Sequence, residues 1–191
     1  MPGVVVAVAE CSLFPSRSHK RLGQSASSTW EPLPKQKDGG HVWSKARALK
    51  RLGITQVPYD PAKPEELGCR PGRDILHGYS TGNRMAVLPV SDIPAAAGFH
   101  EMAHIVLGHC YSDKPIDDTP RNQCLWELEA AATAIMCLRK LGVSERGRYL
   151  QWLHYRKYRD AWLQAEPTLP DDFRRRVDDA ANKIMAAGQE D

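Results

Sequence analysis

Apolar positions along the chain change period, and the change separates its parts. Over residues 42–52 they fall at Val42, Trp43, Ala46, Leu49 and Leu52, with lysine and arginine between them. That spacing predicts a short amphipathic helix, which Gly53 is placed to stop. Residues 57–71 are proline-rich and predict a loop. Within 75–90, Gly78 and Gly82 predict turns, and 84–90 predicts a strand on Met85, Val87 and Leu88, with Pro89 pushing its end towards a sheet edge. The backbone of such a strand offers an extended peptide something to pair with.

The helical period then returns. Ser91 or Asp92 is suited to cap a helix over 93–107, with Pro94 in its first turn, an apolar face of Ala96, Phe99, Ala103, Val106 and Leu107, and Gly108 to end it. After a polar loop at 110–120, three further helices are predicted. One spans 121–141 on Leu125, Leu128, Ala132, Ile135 and Met136, and one spans 145–165 on Tyr149, Trp152, Leu153 and Trp162. The last spans 171–187 on Phe173, Val177, Ala181 and Ile184. Residues 1–40 lack sustained periodicity and predict a flexible N-terminal arm, leaving 41–188 as the domain. The fold class expected is α+β: mainly helical, with a small sheet ahead of the 93–107 helix.

Composition narrows the class. Of 191 residues, 42% are hydrophobic and 26% charged, which suits one globular domain. No apolar run approaches the roughly 20 residues of a membrane span, so no membrane partner is expected. The run at 4–9 has no basic residue before it and makes a poor signal peptide. The five cysteines are odd in number and form no C-x-x-C, which points to a reducing compartment, the cytoplasm, and away from cysteine zinc ligands. A net charge of +3 decides little about partners.

The chemistry lies in His100-Glu101-Met102-Ala103-His104. On a helix, residues i and i+4 share a face, so both imidazoles can meet one metal ion. Glu101 stands about 100° round the helix from His100, suited to act as general base and not as a ligand. A catalytic zinc site needs a third protein ligand. His109 fits that role badly: five places after His104, it would point about 140° away on a continuing helix. Glu127 and Glu129, on the next helix, are better placed. Glu127 shares its face with the small residues Cys124, Ala131 and Ala134, which permit close approach, so Glu127 is the expected ligand. Glu129 is the reserve, as ligand or as an outer partner to a histidine. Zinc is the expected ion, since histidine and carboxylate in an open tetrahedron suit it. His77, His109 and Tyr79 are candidates for stabilising an oxyanion.

The run Phe99 to His104, followed by Glu127-Leu128-Glu129-Ala130 on an alanine-rich helix and preceded by the strand-like 82–87, resembles the ImmA/IrrE-type zinc metallopeptidases. It is closest to the metallopeptidase domain of ArdC-like antirestriction proteins. The resemblance covers roughly residues 45–187. It implies a zincin-like metallopeptidase domain whose third ligand is the Glu of an E-x-x-A run, here Glu127 with Ala130. Many relatives have an acidic or amide residue directly after that alanine, whereas this chain has Ala131. The resemblance implies a protein or peptide substrate. It also implies single-stranded DNA as a partner through an N-terminal domain, for which this chain has only the short segment 1–40.

Two readings follow. One is a zinc-dependent peptidase that cuts a protein partner, such as a regulator. The other is a nucleic-acid-associated protein that keeps its metal for structure, based on the basic residues of 139–159 and the interleaved Tyr149, Trp152, Tyr155 and Tyr158. Those aromatics fall largely at helical spacing, which predicts core packing for most of them.

Overall fold

Helix α2 (Pro94–Val106) is apolar on nearly every side, so it has no face suited to water and sits at the centre of the fold. Ala96, Ala97, Phe99, Met102, Ala103 and Ile105 are all buried. The structure is a computed structural model that describes residues 5–10, 43–63, 75–89, 94–110, 119–143 and 145–190, and of 5–10 the backbone alone. Around α2 pack α1 (Lys45–Leu52), α3 (Pro120–Lys140), α4 (Glu145–Ala165), α5 (Phe173–Gly188) and one small sheet.

The sheet holds β1 (Val5–Glu10), β2 (Thr55–Gln56), β3 (Ile75–Thr81) and β4 (Arg84–Val87) in the order β1-β3-β4-β2. β3 runs antiparallel to both β1 and β4, and β2 runs parallel to β4. The α+β, mainly helical architecture with a small sheet ahead of α2 is as expected.

Three details differ from the expectations. Residues 5–10 fall within the stretch assigned to a flexible arm, yet they form β1. Their β-branched valines favour extended backbone, and β3 offers an edge on which to pair. The rest of that arm, 1–4 and 11–40, lies outside the described residues. Gly78 was expected in a turn but stands inside β3, opposite a register shift between Val8 and Ala9. Finally, β4 is flanked by β3 and β2, so most of its backbone is already paired rather than open to a peptide.

The helix ends follow local chemistry. Ser44 Oγ accepts from the Arg47 N–H at 3.3 Å, and Thr119 Oγ1 accepts from the Asn122 N–H at 3.4 Å ahead of Pro120. The main core joins Trp43, Met85, Phe99, Met102, Leu138 and Ile184. Burying a side chain such as Ile184 contributes about 1.5–3 kcal/mol. A second cluster, Leu128 with Phe173 and Val177, fastens α5 to α3. Trp43, just ahead of α1, packs 5.0 Å from Phe99 and donates its indole N–H to the Ile184 carbonyl at 3.4 Å, so it joins α2 to α5. No helix among the described residues is long and apolar enough to cross a membrane.

Candidate metal centre

The i, i+4 spacing on α2 sets the His100 and His104 rings 4.7 Å apart, both fully buried. Their Nε2 atoms stand 2.9 Å apart. Glu127 reaches in from α3, with Oε2 3.2 Å from His100 Nε2 and Oε1 3.5 Å from His104 Nε2. Around an ion held at ~2.0–2.1 Å, tetrahedral ligand atoms stand about 3.3 Å apart; the two ring nitrogens are 2.9 Å apart, and the two Glu127 oxygens stand 3.2 and 3.5 Å from one ring nitrogen each, all near that value. Among the described residues, His100, His104 and Glu127 form the one group of three such side chains whose ligand atoms all lie within 4.8 Å of one another. Buried Ala130, Ala131 and Ala134 on α3 keep the facing helices close enough for Glu127 to arrive.

The hydrogen bonds fix where the protons are. His100 Nδ1 lies 3.0 Å from Gln151 Oε1, a carbonyl that only accepts, so Nδ1 carries the hydrogen and Nε2 is bare. His109 Nε2 lies 2.9 Å from Glu129 Oε2 and must donate to it. The neutral ring of His109 therefore has a bare Nδ1, which accepts from His104 Nδ1 at 2.9 Å and leaves His104 Nε2 bare as well. Burial keeps His104 and His109 neutral by pushing their pKa values below the ordinary histidine value. Two ring lone pairs and a carboxylate thus converge with no hydrogen between them. That donor set repels itself unless a cation occupies its centre, and it fits a divalent metal ion.

Glu127 is held as an anion. Burial alone would raise its pKa, but the neighbouring histidines His104, His100 and His154 outweigh burial and hold it well below the usual carboxylate range. His154, on α4, donates from Nε2 to Glu127 Oε2 at 2.7 Å. It lies outside the three-ligand group and acts on the carboxylate rather than completing the set. Glu129 turns towards His109 and Arg176 rather than His100, so the two glutamates of α3 serve different partners.

Glu101 is buried against β3. A methyl group in place of the Gly78 hydrogen would lie 3.0 Å from both Cγ and Oε1 of Glu101 and 2.9 Å from the Ala86 carbonyl oxygen. Only glycine leaves room there, which explains a glycine inside a strand. His77 and Tyr79 share that strand. The Tyr79 hydroxyl accepts from the Asp60 N–H at 2.9 Å, which ties it to the loop after β2. His109 is one hydrogen bond removed from the metal group rather than in it.

No family model, curated protein or solved structure matches the chain. The centre is therefore described by its own geometry. Sequence reasoning missed Gln151, His154 and Arg176, and rejected His109 without finding its use. Gln151 and His154 lie three apart on one face of α4, between Gly147 and Tyr158, and that stripe of helical spacing is the signal that could have found them. Gln151 reaches His100 from another helix and orients its ring.

Proposed function

We propose that this chain is a zinc-dependent peptidase that hydrolyses a peptide bond in a protein partner. The observation that carries the reading is the convergence of two bare imidazole nitrogens and the Glu127 carboxylate, with Glu101 buried on the helix that carries both histidines. His100, His104 and Glu127 would hold the metal, which when bound supplies Lewis acidity to the scissile carbonyl and to the attacking water. Glu101 takes the water's proton at a carboxylate oxygen and delivers it to the leaving nitrogen as the C–O bond forms and the C–N bond breaks. Gln151 keeps the His100 nitrogen bare throughout, and His154 holds the Glu127 carboxylate in place. The ImmA/IrrE-like and ArdC-like resemblance accords with this reading. Cys110, Cys124 and Cys137 are free thiols, which suits a reducing cytoplasm.

The test is metal content and proteolysis measured together. Wild type should bind one zinc ion per chain and cleave protein substrate. Glu101→Gln should keep the zinc and lose cleavage, and Glu127→Ala should lose the zinc. Zinc retained at full stoichiometry by Glu127→Ala would overturn the ligand set, and cleavage by Glu101→Gln would overturn the mechanism.

One observation favours a second reading, a nucleic-acid-associated protein. Tyr149 and Trp152 are 57% and 41% exposed, not core as expected, and their rings stack 6.3 Å apart at 23°. Arg156 lies over Trp152 at 5.5 Å, on a helix with five basic residues against two acidic. Such a platform suits the bases and phosphates of a single strand. Quenching of tryptophan fluorescence by a single-stranded oligonucleotide, weakening steeply with salt and lost in Trp152→Ala, would support it; no quenching would remove it.

A further inference from the structure

The outer partner of His104 is not a carboxylate or a backbone carbonyl but a second histidine, and the hydrogen bonding continues beyond it. His104 Nδ1–H donates to His109 Nδ1 at 2.9 Å, and His109 Nε2–H donates to Glu129 Oε2 at 2.9 Å. Arg176 of α5 grips both carboxylate oxygens, with Nε to Oε1 at 2.7 Å and an Nη to Oε2 at 3.0 Å. The path starts at fully buried His104, crosses His109 and Glu129, both nearly fully buried, and ends at the half-exposed Arg176 side chain. Trp126 stacks on the His109 ring at 5.6 Å and 18°, which fixes the ring plane.

Two features of the chain place His109 there. Gly108 adopts φ 82°, its N–H donates to the Ile105 carbonyl at 3.1 Å, and the His109 N–H donates to the His104 carbonyl at 2.9 Å. This is the paired hydrogen bonding of a glycine-terminated helix end, and it turns the chain back so that His109 faces the ring five residues before it. The expectation that His109 points away assumed a helix that continued.

We propose that His109, Glu129 and Arg176 are positioning residues that set the tautomer of metal ligand His104, and that α5 is thereby a working part of the metal centre. The direction of every bond follows from its far end. A guanidinium only donates, so Glu129 is held as an acceptor; Glu129 accepts, so His109 must donate from Nε2; His109 then accepts at Nδ1, and His104 must leave Nε2 bare. With Glu129 removed, His109 is free to carry its hydrogen on Nδ1; with Arg176 removed, the Glu129 acceptor that His109 requires is no longer held in place. The two Nδ1 atoms cannot both donate to each other, and His104 is driven to put its hydrogen on Nε2, where it blocks the metal. A residue that merely filled space at 109 would have no such directional effect.

This inference rests on metal binding by His100, His104 and Glu127, and its test separates the two. Zinc affinity is measured by competition with a chromophoric chelator for wild type, His109→Gln, His109→Leu and Arg176→Met. Glutamine keeps one acceptor and one donor at 109; leucine keeps neither. His109→Leu should weaken zinc about 10- to 100-fold, His109→Gln should recover most of that loss, and Arg176→Met should fall between them. Long-range ¹H–¹⁵N spectra of the zinc-free proteins should show hydrogen on His104 Nδ1 in wild type and on Nε2 in His109→Leu. If wild type binds no zinc, the ligand set fails and this inference with it. If wild type binds and His109→Leu binds equally, or His109→Gln is as weak as His109→Leu, only the positioning role is overturned. Should His109→Leu not fold, Arg176→Met at the half-exposed end decides: unchanged affinity overturns the proposal.

Discussion

Helices α4 and α5 both cover the centre, yet they are built on opposite plans. In α5, the apolar stripe of the sequence is the buried face: Phe173, Val177, Ala181 and Ile184 all turn inward. In α4, Tyr149, Trp152 and Leu153 of the predicted stripe are exposed and only Trp162 is buried, while Gln151 and His154 are buried at 2% and 9% exposure. A buried polar face is unfavourable unless each group finds a partner. On α4 each does, Gln151 with His100 and His154 with Glu127. One helix therefore holds the domain together mainly by excluding water, and the other gives up that gain to orient His100 and Glu127. A helix face recruited for chemistry is read inside out by hydrophobicity alone.

The contrast can be broken by substitution. The largest effect is expected on α5, where Ile184→Ala should cost about 2–5 kcal/mol of stability, read as a fall in urea midpoint, without altering zinc stoichiometry in the folded fraction. Gln151→Leu should do the reverse: zinc about 10- to 100-fold weaker, with zinc-free stability little changed. If Gln151→Leu mainly unfolds the protein and spares affinity, the two helices do not differ as described.

Acid sharpens the same contrast. Burial lowers the pKa of His154 and His104 below the ordinary histidine value of 6.5. The unfolded chain then binds more protons than the folded one between the lowered values and 6.5, so stability falls as pH drops below 6.5. Glu127, with its lowered pKa, adds stability that is lost as pH falls further through its folded value. Zinc-free protein should therefore lose its thermal midpoint from pH 7.5 to 5.5, and exchange of amide hydrogens should rise around α4 before α5. A flat profile would mean that the histidines are not held neutral. The smallest effect belongs to the outer face: Trp152→Ser should change stability by no more than about 0.5 kcal/mol. A loss well above that would show that the exposed aromatics brace the fold.

Much of the site was legible in local spacing. His100, His104 and Glu101 follow from one helical turn, and Glu127 was separated from Glu129 by its small-residue face, because such neighbours control how near two helices can come. The helices themselves were readable from apolar period, with α2 predicted at 93–107 and observed as Pro94–Val106. What could not be read came from elsewhere in the chain. Gln151 bonds to a residue 51 positions earlier and Arg176 to one 47 earlier, and no local spacing rule links them. His109 was misjudged because a helical projection cannot represent the turn at Gly108. Gly78 was misread because its reason, the volume of Glu101, lies across the fold.

Gly108 has one more implication, which concerns handedness. Its positive φ suits an achiral residue or a mirror-image one, and an L side chain there would be disfavoured by roughly 1–2 kcal/mol. A semisynthetic chain bearing D-alanine at 108 should retain the zinc affinity of the natural protein, whereas L-alanine at the same place should weaken it. The stereochemistry of a single α-carbon, with no atom in the coordination sphere, would then tune how tightly the ion is held.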